Sequence, residues 1–145
     1  MDPTYDGVAY SFGDVVVFGY DYMEEHPEDG DVVVHEVMHK IQSDYQGDVP
    51  GWLKEGIADY VRERFGRDNP DSWSLPDFSP DHRYDGGYGI TARYLLWIET
   101  HKMEGFVTGL NSALLNGTPY QDFWMQSLGE SIEDLWTAYT QNPDI

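Results

Sequence analysis

The 145 residues are enough for one domain with a buried core, and their 40% hydrophobic and 15% aromatic content excludes a disordered chain. Asp and Glu number 27 against 8 Lys and Arg, a formal charge of -19, so we expect neither nucleic acid nor an anionic membrane surface as a partner. The absence of cysteine excludes disulfides and thiol chemistry.

The first predicted elements are two short strands within residues 8–20. Branched and aromatic residues favour strand there, and Gly13-Asp14 is a turn signal between the two. The segment before them has neither a basic start nor an apolar run, so we expect no signal peptide in this chain.

The first strong helix pattern follows a polar turn, with Asp29 or Asp31 available as its cap. Gly47 is expected to end it. Apolar residues spaced i, i+3, i+4 and i+7 predict its core face, namely Val34, Val37, Met38 and Ile41.

A second helix is predicted over about 52–65, with Gly66 as its stop. Residues 67–87 are rich in Pro, Asp and Ser and are expected to form a long loop, of a kind that is usually functional or mobile. Four further helices are predicted over about 88–101, 106–115, 120–128 and 132–140. With no internal repeat, these elements indicate one α+β domain over residues 1–145.

Two histidines in the first helix have the spacing of metal ligands. His35 and His39 are four residues apart, so both imidazoles lie on one helix face and can reach one ion. Glu36 lies beside that face, where it can take a proton from a water on the metal. The pattern fits a zinc site, and it also fits an amphipathic helix that carries two histidines by chance.

The second helix supplies a candidate third ligand. Glu55 comes sixteen positions after His39, enough for the chain to turn and return antiparallel. Asp59 shares the face of Glu55 and can accept the other ring N–H of a ligand histidine. Gly56 would allow close approach of a helix or of substrate. Both acids are surrounded by apolar residues, which favours a zinc site over two solvated carboxylates.

Three segments carry a resemblance to a known family. HEVMHKIQ, WLKEGIADYVRERFG and GGYGITARYL, in this order, resemble the plant basic secretory protein family and its bacterial relatives, and the resemblance spans roughly residues 6–139. It implies a zincin-like metallopeptidase domain of the gluzincin type. In that arrangement a short N-terminal β-sheet packs on the helix with the histidines, and a mostly helical C-terminal half follows.

Carried over residue by residue, the resemblance makes His35, His39 and Glu55 the zinc ligands and Glu36 the general base. It also implies a secreted or extracellular location. The strongly acidic composition departs from the basic plant members, and cysteine is absent. The sequence begins just before the GVAY segment, whereas relatives carry further strands upstream, so we expect a short sheet with an open edge.

Peptide hydrolysis also requires a group that stabilises the oxyanion. In gluzincins a tyrosine on a helix after the glutamate helix often does so, and the resemblance makes Tyr88 the first candidate. His82, Arg83 and Tyr84, in the preceding loop, are the alternatives.

A strand precedes the metal helix, where zincins place the edge strand that binds substrate. Val17, Phe18 and Gly19 could therefore align an extended peptide through their backbone groups, although an ordinary core strand would have the same composition. We expect a monomer, with dimerisation through the open sheet edge as the alternative.

Together these features predict a zinc-dependent metalloendopeptidase acting on peptides or proteins, with Glu36 activating the zinc-bound water. A zinc-stabilised binding module without catalysis, recognising peptides or wall components, is the main alternative. A metal-free helical protein whose histidines lie on a polar face is a second one.

Overall fold

The computed structural model describes residues 1–13 and 15–145, and it begins with a β-hairpin. Strands β1 (Ala9–Phe12) and β2 (Val15–Phe18) pair antiparallel, with Ser11 opposite Val16. Gly13 has φ 53°, a left-handed conformation that suits glycine, and Asp14 of the predicted turn lies outside the described residues. The two predicted strands are therefore confirmed.

Two helices lead from the hairpin into the rest of the chain. A short helix, α1 (Tyr20–Glu25), occupies a segment that was expected to end a strand and enter a turn. Helix α2 (Val32–Gln42) carries the two histidines, and Asp29 accepts a hydrogen bond from the Val32 backbone N–H at 3.2 Å. Of the two proposed caps, Asp29 is therefore the one that bonds the first turn.

Helix α2 ends earlier than predicted, at Gln42 instead of Gly47. The residues that follow turn toward a later helix, because the Gln46 N–H donates to the carbonyl oxygen of Leu114 at 3.0 Å. The hydroxyl of Tyr45 likewise bonds Asn111 at 2.8 Å. These contacts draw the chain away from the axis of α2.

Helix α3 (Gly51–Phe65) returns antiparallel and precedes the long loop. The remaining helices match the predicted segments closely: α4 (Tyr88–His101), α5 (Phe106–Leu115), α6 (Tyr120–Leu128) and α7 (Ile132–Gln141). A two-stranded sheet and seven helices in the described residues confirm the α+β class. No helix among them has the length and apolar character of a membrane span.

The core lies between α3 and α4 and extends into the C-terminal helices. A Cβ added to Gly56 would lie 2.2 Å from the Thr91 side chain, so only glycine permits this close helix approach, as its position beside Glu55 suggested. The fully buried apolar side chains of this interface are Leu53, Ile57, Ala58, Ala92, Leu95 and Ile98.

The predicted core face of α2 is largely wrong. Met38 is buried, but Val34 is only half-buried, and Val37 and Ile41 are 48% and 44% exposed. The helix instead packs its face with His35 and Met38 against α3, while β1 covers the side near Glu36. Among the described residues no further strand covers the opposite face, so its aliphatic side chains stay in contact with solvent.

Candidate metal centre

Helix α2 presents His35 and His39 on the face that packs against α3. Their ring Nε2 atoms lie 3.1 Å apart, and the two rings are nearly perpendicular. His35 is buried and His39 is partly buried. The helical repeat thus brings two imidazole nitrogens together, as the spacing predicted.

Helix α3 brings a carboxylate to the same point. Glu55 Oε2 lies 3.2 Å from the Nε2 of His35 and 3.4 Å from the Nε2 of His39. Ligands held at ~2.0–2.1 Å in a tetrahedron around zinc are about 3.3 Å apart. The three donor atoms therefore have the mutual spacing of one metal coordination sphere, and these residues could hold a metal ion.

The electrostatics of this cluster favour positive charge at its centre. Burial acts to lower the pKa of His35, but hydrogen bonds and charges of Asp59 and Glu55 outweigh it and raise the pKa to about 9. Burial acts to raise the pKa of Glu55, and its contacts with both histidines outweigh it and lower the pKa to about 2. Without a metal, protons on the imidazoles balance the carboxylates, and a cation would replace them.

Each histidine has an orienting partner behind it. Asp59 Oδ1 lies 2.7 Å from His35 Nδ1, and Gln42 Oε1 lies 2.7 Å from His39 Nδ1. With the proton on Nδ1 donated to these acceptors, each neutral ring keeps its Nε2 lone pair toward the common point. Gln42 also donates to the carbonyl oxygen of Lys54 at 2.8 Å, which ties α2 to the residue before Glu55.

Glu36 is buried beside the histidines and is held from the hairpin. The Ser11 hydroxyl on β1 lies 2.7 Å from Glu36 Oε2 and 3.0 Å from the carbonyl oxygen of the same residue. A side chain 25 positions upstream thus contacts the residue that sequence reasoning named as the base.

A buried ion pair joins the start of α2 to α3. Arg62 donates to Asp29 Oδ1 at 2.6 Å and to Asn69 Oδ1 at 2.6 Å, and its guanidinium stacks 4.3 Å from the Trp73 ring centroid. Tyr22 donates its hydroxyl to the other oxygen of Asp29 at 2.6 Å. The network fixes the loop before α2 and the start of the long loop against α3.

The candidate metal site opens into a cleft of about 760 Å³. His35, Glu36, His39, Glu55 and Asp59 all contribute to its lining. Ala9, Tyr10 and Ser11 of β1 form part of another wall, and further aromatic lining comes from Tyr5, Tyr22, Trp73 and Tyr88.

Tyr88 lies over the site in a strained backbone conformation. Its φ of 43° places a non-glycine residue in the left-handed region, directly after Gly87 with φ 74°. The residue is 59% exposed, and its ring is parallel to the His35 ring, with centroids 6.3 Å apart. The negative charge of Glu55, followed by burial and the charge of Asp59, raises the pKa of its hydroxyl, which stays protonated at neutral pH.

Comparison with known proteins identifies the family. The model of the basic secretory protein family, described as peptidase of plants and bacteria, matches residues 3–139. The chain belongs to this family. Neither the search of curated proteins nor the search of solved structures finds a significant match.

For this member of the peptidase family, six residues named from the sequence meet in one cleft: His35, Glu36, His39, Glu55, Asp59 and Tyr88. The alternatives to Tyr88 lie elsewhere in the long loop and do not line it. Val17, Phe18 and Gly19, predicted to bind substrate, do not line it either, because β1 and not β2 is the strand adjacent to the cleft. Their role in substrate binding stays a prediction.

Sequence reasoning missed three contacts in and beside the site. The bond between Gln42 and His39 was not inferred, although a spacing of three residues on a helix was a usable signal. Ser11 had no local signal, because its contact with Glu36 depends on how the hairpin folds onto α2. Arg62 was likewise not expected to join Asp29 across α3.

Proposed function

We propose that this peptidase-family protein is a zinc-dependent metalloendopeptidase of the gluzincin type, with a zincin-like arrangement of the hairpin and α2. The observation that carries the proposal is the cluster of His35, His39 and Glu55, whose donor atoms lie 3.1–3.4 Å from one another. Membership of a family described as a peptidase supports a hydrolytic role for this cluster.

Zinc is the metal that best fits this donor set. Two imidazoles and one carboxylate leave a fourth position for water, which is typical of catalytic zinc sites, whereas structural sites use four protein ligands. Hard oxygen-seeking ions such as magnesium would prefer more carboxylates. A zinc ion held there would lower the pKa of a water molecule and polarise the carbonyl of the scissile bond.

The remaining steps of the proposed reaction are assigned to side chains of the protein. Glu36 accepts a proton from the attacking water and returns it to the leaving amine. Tyr88, protonated and exposed above the His35 ring, donates its hydroxyl to the oxyanion. Asp59 and Gln42 hold the imidazoles in the tautomer that keeps Nε2 free for the metal.

The charge distribution of the cleft argues against a carboxypeptidase, which agrees with the proposed endopeptidase activity. A carboxypeptidase needs a cation to hold the terminal carboxylate of its substrate. Among the residues that line the cleft, Arg62 has the one basic side chain apart from the histidines, and it is ion-paired with Asp29. A carboxylate terminus therefore finds no free cation in this lining, while an internal peptide bond needs none.

The test compares wild type with Glu36→Gln in a peptide-library digest, with metal content measured by mass spectrometry. We expect Glu36→Gln to keep one zinc per chain and to lose about 10²–10⁴-fold in kcat/KM. The exposed residue Glu63 on α3 gives a matched control, and Glu63→Gln should cleave like wild type. Full activity of Glu36→Gln would remove Glu36 from the mechanism.

A chelator arm separates the alternatives. Removal of zinc should abolish cleavage by wild type, and added zinc should restore it. A wild type that holds zinc but cleaves no peptide would support the non-catalytic binding module instead. A protein that holds no metal at all would support the metal-free alternative.

A further inference from the structure

The carboxylate of Glu36 is anchored by the hairpin as well as carried by its own helix. Ser11 Oγ lies 2.7 Å from Glu36 Oε2, a short distance of the kind seen when a hydroxyl donates to a carboxylate. Glu36 is buried and Ser11 is half-buried, so little water competes with this hydrogen bond.

A serine hydroxyl carries one proton and therefore donates one hydrogen bond at a time. Two acceptors are in reach, Glu36 Oε2 at 2.7 Å and the carbonyl oxygen of Glu36 at 3.0 Å. While Glu36 is ionised, the charge-assisted bond to Oε2 is the stronger one. One lone pair of Oε2 is then engaged, which makes Oε1 the more basic oxygen and the one favoured to accept a proton.

We propose that Ser11 is the positioning residue for the general base: its hydroxyl holds Glu36 Oε2, so that Oε1 takes the proton from water and returns it to the leaving amine. The inference rests on the proposed hydrolytic function. Proton balance is kept, because the proton that leaves water reaches the amine through Oε1 and Ser11 keeps its own.

The placement of Ser11 also links the base to the wall of the cleft. Ala9 and Tyr10 precede it on β1 and line the same cleft. A peptide that packs against β1 would therefore press on the strand that positions Glu36. The carboxylate is held from two directions, by α2 through its own backbone and by β1 through Ser11.

The principal test is a kinetic comparison of Ser11→Ala with wild type. We expect kcat to fall about 10- to 100-fold with KM nearly unchanged, because a displaced base weakens the chemical step and not ground-state binding. Zinc content should stay at that of wild type. Ser11→Thr keeps the hydroxyl and should retain most of the wild-type kcat. Ser11→Val has the shape of threonine without the hydroxyl and should resemble Ser11→Ala.

Ser43 gives a matched control, since its hydroxyl donates to the backbone carbonyl of Lys40 at 2.6 Å near the end of the same helix. Ser43→Ala should leave kcat unchanged. An unchanged kcat in Ser11→Ala or in Ser11→Val would overturn the proposal. A loss of kcat in Ser43→Ala equal to that in Ser11→Ala would also overturn it, because the effect would then be a general disturbance of α2.

A structural readout separates this inference from the proposed function. Crystal structures of wild type and Ser11→Ala should show the Glu36 carboxylate in different rotamers or with clearly different order. If wild type cleaves no peptide, the proposed function fails, and the two structures still decide the role of Ser11. A carboxylate that keeps its position in Ser11→Ala would overturn the positioning role.

Discussion

The interface of α3 and α4 and the surface of α2 use buried positions in different ways. Leu53 and Ile57 on α3 and Leu95 on α4 have no solvent exposure and belong to one hydrophobic core. Helix α2 places His35 and Glu36 in buried positions, while Val37 on its opposite face is 48% exposed. The α3–α4 interface thus stabilises the fold by burying apolar side chains, whereas much of the buried surface of α2 consists of polar side chains.

The interface between α2 and α3 therefore depends on polar contacts. His35 meets Asp59, Gln42 meets the backbone of Lys54, and Arg62 of α3 meets Asp29 before α2. A metal ion bound by residues of both helices would link α2 to α3 at the same interface. Metal binding should then stabilise the fold as well as supply the chemistry.

The largest expected effect on stability comes from breaking the buried ion pair at this interface. Arg62→Ala leaves the buried carboxylate of Asp29 without its cationic partner, so we expect a loss of about 3–5 kcal/mol in unfolding free energy, measured in urea. Arg83 forms an exposed pair with Asp85 and serves as the control, since Arg83→Ala should cause no measurable change. Equal, small losses in both variants would contradict the importance of this pair.

The α3–α4 core should be nearly as sensitive. Ile57→Ala removes a fully buried side chain and leaves a cavity, for an expected loss of about 2–5 kcal/mol by the same measurement. With zinc in excess, a folded Ile57→Ala should still bind metal, because no ligand is changed. A loss below about 0.5 kcal/mol would mean that this interface does not carry the free energy assigned to it.

The two residues that orient the histidines should also control metal affinity. Asp59→Asn and Gln42→Leu each weaken the hold on one histidine, and we expect zinc to bind about 10- to 100-fold more weakly in each by competition with a chelator. Gln46→Ala, at an exposed position after the same helix, should keep the affinity of wild type. If neither variant loses affinity, the imidazoles are held by the helix alone.

Stability should fall with rising pH in the metal-free protein and stay nearly constant in the zinc-loaded protein. The pKa of His35 is raised to about 9, so its contribution to metal-free stability is full below about 6.5 and is lost as pH rises through about 9. Zinc requires neutral imidazoles, so its binding strengthens over the same range. The difference in Tm between zinc-buffered and chelated samples should widen from pH 6.5 to pH 9, and a constant difference would contradict the raised pKa.

Sequence reasoning found the residues whose partners are set by helical spacing. His35 and His39 follow from the repeat of one helix, and Glu55 and Asp59 from that of the next. It could not find the contact of Ser11 with Glu36, because that pair depends on how a hairpin docks. Apolar periodicity also misassigned the core face of α2, since it records which side chains are apolar and not what covers them.

The smallest expected effect lies on that uncovered face. Val37→Ser exchanges an exposed aliphatic side chain for a polar one, so the free energy of unfolding should change by less than about 0.5 kcal/mol. The expected loss for Ile57→Ala is about 2–5 kcal/mol. Urea unfolding at two protein concentrations checks this. A loss of more than about 1 kcal/mol that grows with concentration would mean that a second copy covers the face in solution, because only an associated state gains stability by mass action. A small change that does not depend on concentration would mean that the polar face of α2, with the candidate ligands His35 and His39, contributes most of its stabilising contacts.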